Sequence, residues 1–146
     1  MKRTRIVALD HISVNVRRFK RAREFYRAAL GAIGMKINLE FATSLGLGSQ
    51  KEKIFWLVRD LGASGGGHYA FRVKHREEVV AFHAAALAAG GTDNGKPGLR
   101  PDSVPNYYAA FVKDPEENNI EVVCYAPQRA RGARKSTRRR SARSKR

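Results

Sequence analysis

The strongest constraint on this chain is a pattern that occurs twice. Residues 7–16, VALDHISVNV, alternate from Asp10 onward, with Ile12, Val14 and Val16 on one face and His11, Ser13 and Asn15 on the other. That period of two marks a strand whose one face packs on apolar neighbours. From about Arg18 to Ala32 the period changes. Phe19, Ala22, Phe25/Tyr26, Ala29/Leu30 and Ile33 recur at three- and four-residue steps, predicting an amphipathic helix that Gly31 and Gly34 can end. Three short strands are then expected at Lys36–Phe41, Ser44–Gly48 and Lys53–Arg59.

After the flexible Gly62–Gly67 connection the order repeats. His68–Val73 places Tyr69, Phe71 and Val73 opposite His68, Ala70 and Arg72, and a second helix is predicted from about Arg76 to Ala89. Asp93-Asn94-Gly95 is read as a turn. Strands follow at Tyr107–Lys113 and Asn118–Tyr125, joined by the turn Asp114-Pro115-Glu116-Glu117-Asn118. The first half runs strand–helix–strand–strand–strand, and the second is read as repeating that order. The predicted class is α+β: two βαβββ modules, about 7–60 and 68–126, whose sheets pair into a half-open mixed β-barrel with helices outside.

The charge divides the chain. It carries +16 overall, yet ten of its 29 Lys/Arg lie in residues 128–146, where no acid occurs. The body, residues 1–127, keeps nineteen bases against all thirteen acids. The tail has no aromatic residue and no Leu, Ile or Val, so it is expected to be disordered. Its density of positive charge suits non-specific contact with a polyanion through counterion release. No apolar run approaches the roughly 18 residues of a membrane span, and Asp10 and His11 interrupt any signal-peptide core. The reading is one domain in a soluble, cytoplasmic protein. One cysteine, Cys124, excludes an internal disulfide, and its predicted apolar face makes it an inert thiol.

If the polar strand faces line the barrel, three residues share that cavity. His11 and His68 hold matching places in the opening strands, and in the closing strand Glu121 lies opposite Ile120, Val122 and Cys124. Two imidazoles and a carboxylate suit a divalent transition metal (Fe, Zn, Ni or Mn) and leave positions open for water or substrate. Such a centre acts as a Lewis acid toward an enediolate or, with Fe(II), binds dioxygen. A pairing of Glu121 with Arg72 is the structural alternative. Phosphate-cradling loops and HExxH are absent from the sequence, and no GxSxG elbow between a strand and a helix marks a serine hydrolase.

LDHISVNV with RAREFYRAALGAIGMK, HYAFRV with AFHAAALAAGGTDNGKPGLRP, and NYYAAFVKDPEENNIEVVCYAP together resemble the vicinal-oxygen-chelate superfamily of glyoxalases, extradiol dioxygenases and bleomycin-resistance proteins. The resemblance covers most of residues 7–127 and implies metal ligands at His11, His68 and Glu121. It also implies a homodimer in which His11 comes from one chain and His68 with Glu121 from the other, or else a site within one chain. One departure stands out. Glyoxalase I enzymes draw a fourth ligand, a glutamate, from the last strand of the first module; here that strand is KIFWLVR, with Trp56 or Leu57 near the ligand's place. Trp56 is expected as an apolar cavity wall, Arg72 as an anion holder, and Arg100 and Tyr107 as rim residues near substrate. The expected function is metal-dependent turnover of a small oxygenated molecule, of lyase, isomerase or dioxygenase type. The alternative is sequestration of a small molecule without turnover.

Overall fold

A computed structural model describes residues 8–101 and 104–128. The basic tail beyond Gln128, with its expected disorder and polyanion contact, lies outside them. The elements are β1 (Ile12–Val16), α1 (Phe19–Gly31), β2 (Lys36–Glu40), β3 (Ser44–Gly48), β4 (Phe55–Arg59), β5 (His68–Arg72), α2 (Arg76–Ala88), β6 (Thr92–Leu99), β7 (Tyr108–Lys113) and β8 (Asn119–Cys124). They form two four-stranded sheets of identical order, β1-β4-β3-β2 and β5-β8-β7-β6. In each, the first pair is parallel and the others antiparallel. The fold is α+β, with two mixed sheets that share no hydrogen-bonded edge, so the barrel is open. No helix among the described residues is long and apolar enough to cross a membrane.

The Asp93-Asn94-Gly95 turn is corrected: these residues lie inside β6. The Asp93 carboxylate accepts the Gly95 N–H at 3.1 Å and pairs with His83 Nε2 of α2 at 2.9 Å, which uses its turn-forming capacity without reversing the chain. The register against β7 shifts between Asp93 and Gly95 and again before Gly98. Such irregularity, and Pro97 with its missing N–H, is tolerated because β6 is an edge strand.

The alternation read from β1 and β8 holds. Val14, Val16, Ile120, Val122 and Cys124 sit in one apolar cluster with Phe25, Tyr26 and Leu30 of α1, Leu45, Leu47, Phe55 and Leu57 of the first sheet, and Val79 and Phe82 of α2. Phe55 meets Tyr69 at 5.9 Å and Phe71 at 5.4 Å, so a single core spans both modules.

Polar contacts lock the modules at one place, the turn between β7 and β8. Buried Asp114 accepts the Tyr26 hydroxyl at 2.5 Å, the backbone N–H groups of Glu116 and Asn118 at 2.8 Å each, and the Asn118 side-chain amide at 2.9 Å. Burial and the neighbouring Asp114 carboxylate push the Tyr26 phenol well above its usual range, so its proton stays in place. Glu116, also buried, accepts the Arg18 backbone N–H at 2.9 Å and the Arg17 and Arg18 guanidinium groups at 3.3 Å each. It thereby caps α1, whose own N-cap residue supplies no side-chain bond. Gly65, at φ +71°, lies so close to the Glu116 carbonyl that a Cβ would stand 1.7 Å from its oxygen.

Asp114→Ala strands a phenol, two amide N–H groups and a carboxamide, and should lower unfolding free energy by about 3–4 kcal/mol in a urea titration. Tyr26→Phe removes one bond and should cost about 1–2 kcal/mol. Burial opposes ionisation of Glu116, but the Arg18 N–H and the two guanidinium groups outweigh it and hold the carboxyl below its ordinary range. A depressed folded pKa gives stability that is complete above the unfolded value, about 4.3, and is lost as pH falls through the folded value. Wild type should therefore lose melting temperature from about pH 5 downward more steeply than Glu116→Gln, with the difference between them closing at lower pH.

Candidate metal and substrate site

In the second module β5 and β8 run parallel, with Ala70 beside Glu121. The apolar alternation of β8 turns Glu121 away from the core cluster, yet it is only 2% exposed. Its two carboxylate oxygens are separately engaged: Oε2 stands 2.9 Å from His68 Nε2, and Oε1 accepts the Tyr107 hydroxyl. Tyr107 enters from the loop before β7, held there by Arg100 N–H donating to its carbonyl at 2.8 Å. Burial and the Glu121 carboxylate push the Tyr107 phenol up to about 12, which keeps it a donor at neutral pH. The His68 side chain is about half exposed, at 55%, so one imidazole face stays open beside a shielded carboxylate.

His11 stands on the other module, just before β1. Its Nδ1 lies 2.6 Å from the Asp10 carboxylate, and it lines a depression of about 610 Å³ with Lys53, Ile54 and Trp56. None of the residues around that depression comes from the second sheet. The register sets the two modules against each other position by position. Ser13, two residues after His11, pairs with Trp56, as Ala70, two residues after His68, pairs with Glu121. Trp56 thus occupies the first module's counterpart of the Glu121 position. Its indole N–H donates to the Lys53 carbonyl at 3.2 Å, and Gly46 leaves room for the ring: a Cβ there would stand 3.1 Å from it.

The structure therefore brings together His68, Glu121 and Tyr107 in one place and His11 with Trp56 in another. Among the described residues no three His, Cys, Asp or Glu side chains stand close enough to hold one ion within a single chain. The donor chemistry of the His68–Glu121 pair nevertheless fits a divalent cation. Nε2 of His68 and Oε2 of Glu121 meet at 2.9 Å, and an imidazole nitrogen and a carboxylate oxygen are both donors that a divalent cation would take. Glu121 also has the fixed, hydrogen-bonded carboxylate that metal ligands require.

The remaining nominated residues divide. Arg72 makes no ion pair among the described residues, so the proposed pairing with Glu121 does not form; its guanidinium lies 4.6 Å over the Tyr125 ring. Arg100 is bound to its own strand region, donating to the Lys96 carbonyl at 2.8 Å and lying 5.4 Å over Phe111, the register partner of Glu121. Tyr125, which stacks edge-on with Tyr107 at 5.3 Å, received no role from the sequence. The alternation that puts Glu121 on this face also puts Tyr125 there and was sufficient to find it.

Residues 8–122 match the family model for the Glyoxalase/Bleomycin resistance protein/Dioxygenase superfamily. No curated protein matches the chain significantly. Among solved structures, a glyoxalase/bleomycin resistance protein from Albidiferax ferrireducens T118 is 26% identical, with a TM-score of 0.69 over 80% of this chain and 98% of that one. A glyoxalase/bleomycin resistance protein/dioxygenase family enzyme from Burkholderia phytofirmans PsJN is 19% identical, with a TM-score of 0.63 over 82% and 100%. A lactoylglutathione lyase from Agrobacterium tumefaciens is 18% identical, with a TM-score of 0.61 over 82% and 94%. With most of its body matched and the paired modules in place, the chain belongs to the Glyoxalase/Bleomycin resistance protein/Dioxygenase superfamily.

Proposed function

We propose that the protein is a divalent-metal-dependent enzyme acting on a small organic molecule that binds through neighbouring oxygen atoms. The metal would be held by His68 and Glu121 of one chain and His11 of a second copy. The observation that carries this reading is the two half-sites: a buried carboxylate with an imidazole at 2.9 Å on one sheet, and a lone imidazole beside Trp56 on the other. A symmetric dimer that places the first sheet of each chain against the second sheet of its partner completes both halves at once.

Within that site each side chain has a definite task. Tyr107 holds Glu121 Oε1 and fixes the carboxylate rotamer, leaving Oε2 as the donor shared with His68. Asp10, bonded to His11 Nδ1, directs Nε2 of that ring outward as its free donor. Trp56 supplies an apolar wall that excludes water from one side. A bound divalent ion (Fe, Zn, Ni or Mn) supplies Lewis acidity toward the substrate oxygens or, as Fe(II), a position for dioxygen. Trp56 in place of an acid favours three protein ligands over four. The same replacement makes a small-molecule sequestering protein the second reading, distinguished by tight ligand binding without metal.

The test is metal content. Purified wild type should hold stoichiometric metal, and His11→Ala and His68→Ala should each lose it. Mixing the two variants under subunit exchange should restore about one quarter of the sites, since half of the dimers are mixed and each carries one intact site. No recovery on mixing means the site is not shared, and full metal in either single variant removes that residue from it.

A further inference from the structure

The strand carrying His68 also carries Arg72 on the same exposed face, with Ala70 between them. Resting on the metal reading above, we infer that Arg72 is the anion-binding end of the substrate groove and that the substrate is an acid. One end would carry the chelating oxygens and the other a carboxylate. Glu121 and Arg72 lie in successive rows of the sheet, because Ala70 pairs with Glu121 and Arg72 with Val123. Two strand positions amount to about 7 Å, and the guanidinium leans further out, over the Tyr125 ring at 4.6 Å.

The surface between the two ends is shaped for an organic linker. Ala70 offers only a methyl group, and Val123 beside it is buried and apolar. Tyr125 and Tyr107 run as an edge-stacked aromatic pair from beneath Arg72 to the Glu121 carboxylate. Tyr125 holds the guanidinium by its face, through the ring quadrupole, and so leaves the in-plane N–H fork unused. Arg72 makes no hydrogen bond or ion pair among the described residues. The other arginine of this face, Arg100, donates to the carbonyls of Lys96 and Ala109. A planar guanidinium whose N–H fork is unused among the described residues matches a carboxylate, which two parallel N–H groups satisfy.

The inference is tested with hydroxamates, which chelate metal without turnover, on the full-length metal-loaded protein. Hexanohydroxamate and adipate monohydroxamate have equal chain length and differ in a terminal methyl or carboxylate. By calorimetry the acid should bind roughly 10- to 100-fold more tightly to wild type, the worth of one charge-assisted bond. Succinate monohydroxamate, too short to reach Arg72, should show no such advantage over butanohydroxamate. Arg72→Met should abolish the preference for the adipate compound while leaving metal content and hexanohydroxamate affinity unchanged. Equal binding of the two six-carbon probes to wild type, or a preference that survives in Arg72→Met, overturns the inference and leaves the metal reading standing. A protein that takes up no metal overturns both.

Discussion

One buried carboxylate holds this structure in register. Asp114 gathers the hydroxyl of Tyr26 from the first module and three donors from its own turn. With Glu116 capping α1, this turn is where the two modules become one body. The consequence reaches the site directly. Asn118, fixed by Asp114, accepts the Gly67 N–H at 2.9 Å through its side chain, and Asn119 N–H donates to the Gly67 carbonyl at 2.8 Å. Gly67 precedes His68, and Asn119 stands two residues before Glu121. The bonds that seat the turn therefore also set the parallel register in which His68 meets Glu121. A slip of one residue would turn Glu121 into the apolar core, where an unpaired carboxylate is prohibitively costly.

The duplication is equal in topology and unequal in chemistry. Both sheets have the same strand order and the same parallel pairing after an opening histidine. At the position where the second module carries Glu121, the first carries Trp56. A carboxylate there would make the two positions alike; instead one module has an imidazole against a carboxylate and the other an imidazole beside an indole. The second module also gathers the aromatic and cationic groups: Tyr107 on Glu121, Tyr125 on Tyr107, Arg72 over Tyr125. The first contributes little beyond His11 and Trp56, so substrate discrimination, in the proposed function, belongs to the second sheet.

Much of this was legible because the relevant signals are local. Period-two alternation in VALDHISVNV and NIEVVC assigned core and polar faces, and the three- and four-residue spacing of Phe19, Ala22, Phe25 and Leu30 located α1. Where local chemistry permits two outcomes, sequence was insufficient. Asp93-Asn94-Gly95 has the composition of a turn, but β7 offers an edge to pair with, and His83 takes the carboxylate, so the segment extends as a bulged strand. The cap of α1 was invisible for a related reason: Glu116 is 98 residues from the N–H it accepts.

The sequence by itself determined the inventory: two modules, an apolar core, and His68 and Glu121 on polar strand faces with His11 at the entry to β1, because side-chain alternation along a strand depends only on neighbouring residues. Only the tertiary structure decided which of those residues meet. It joined His68 to Glu121 across a parallel pair 53 residues apart and kept His11 with Asp10 on the other module. It also placed Arg72 on Tyr125 rather than on an acid. Those outcomes depend on strand order and on how two modules share one core, which are set by long-range packing and by the buried Asp114 joint, and no pattern of adjacent residues encodes them.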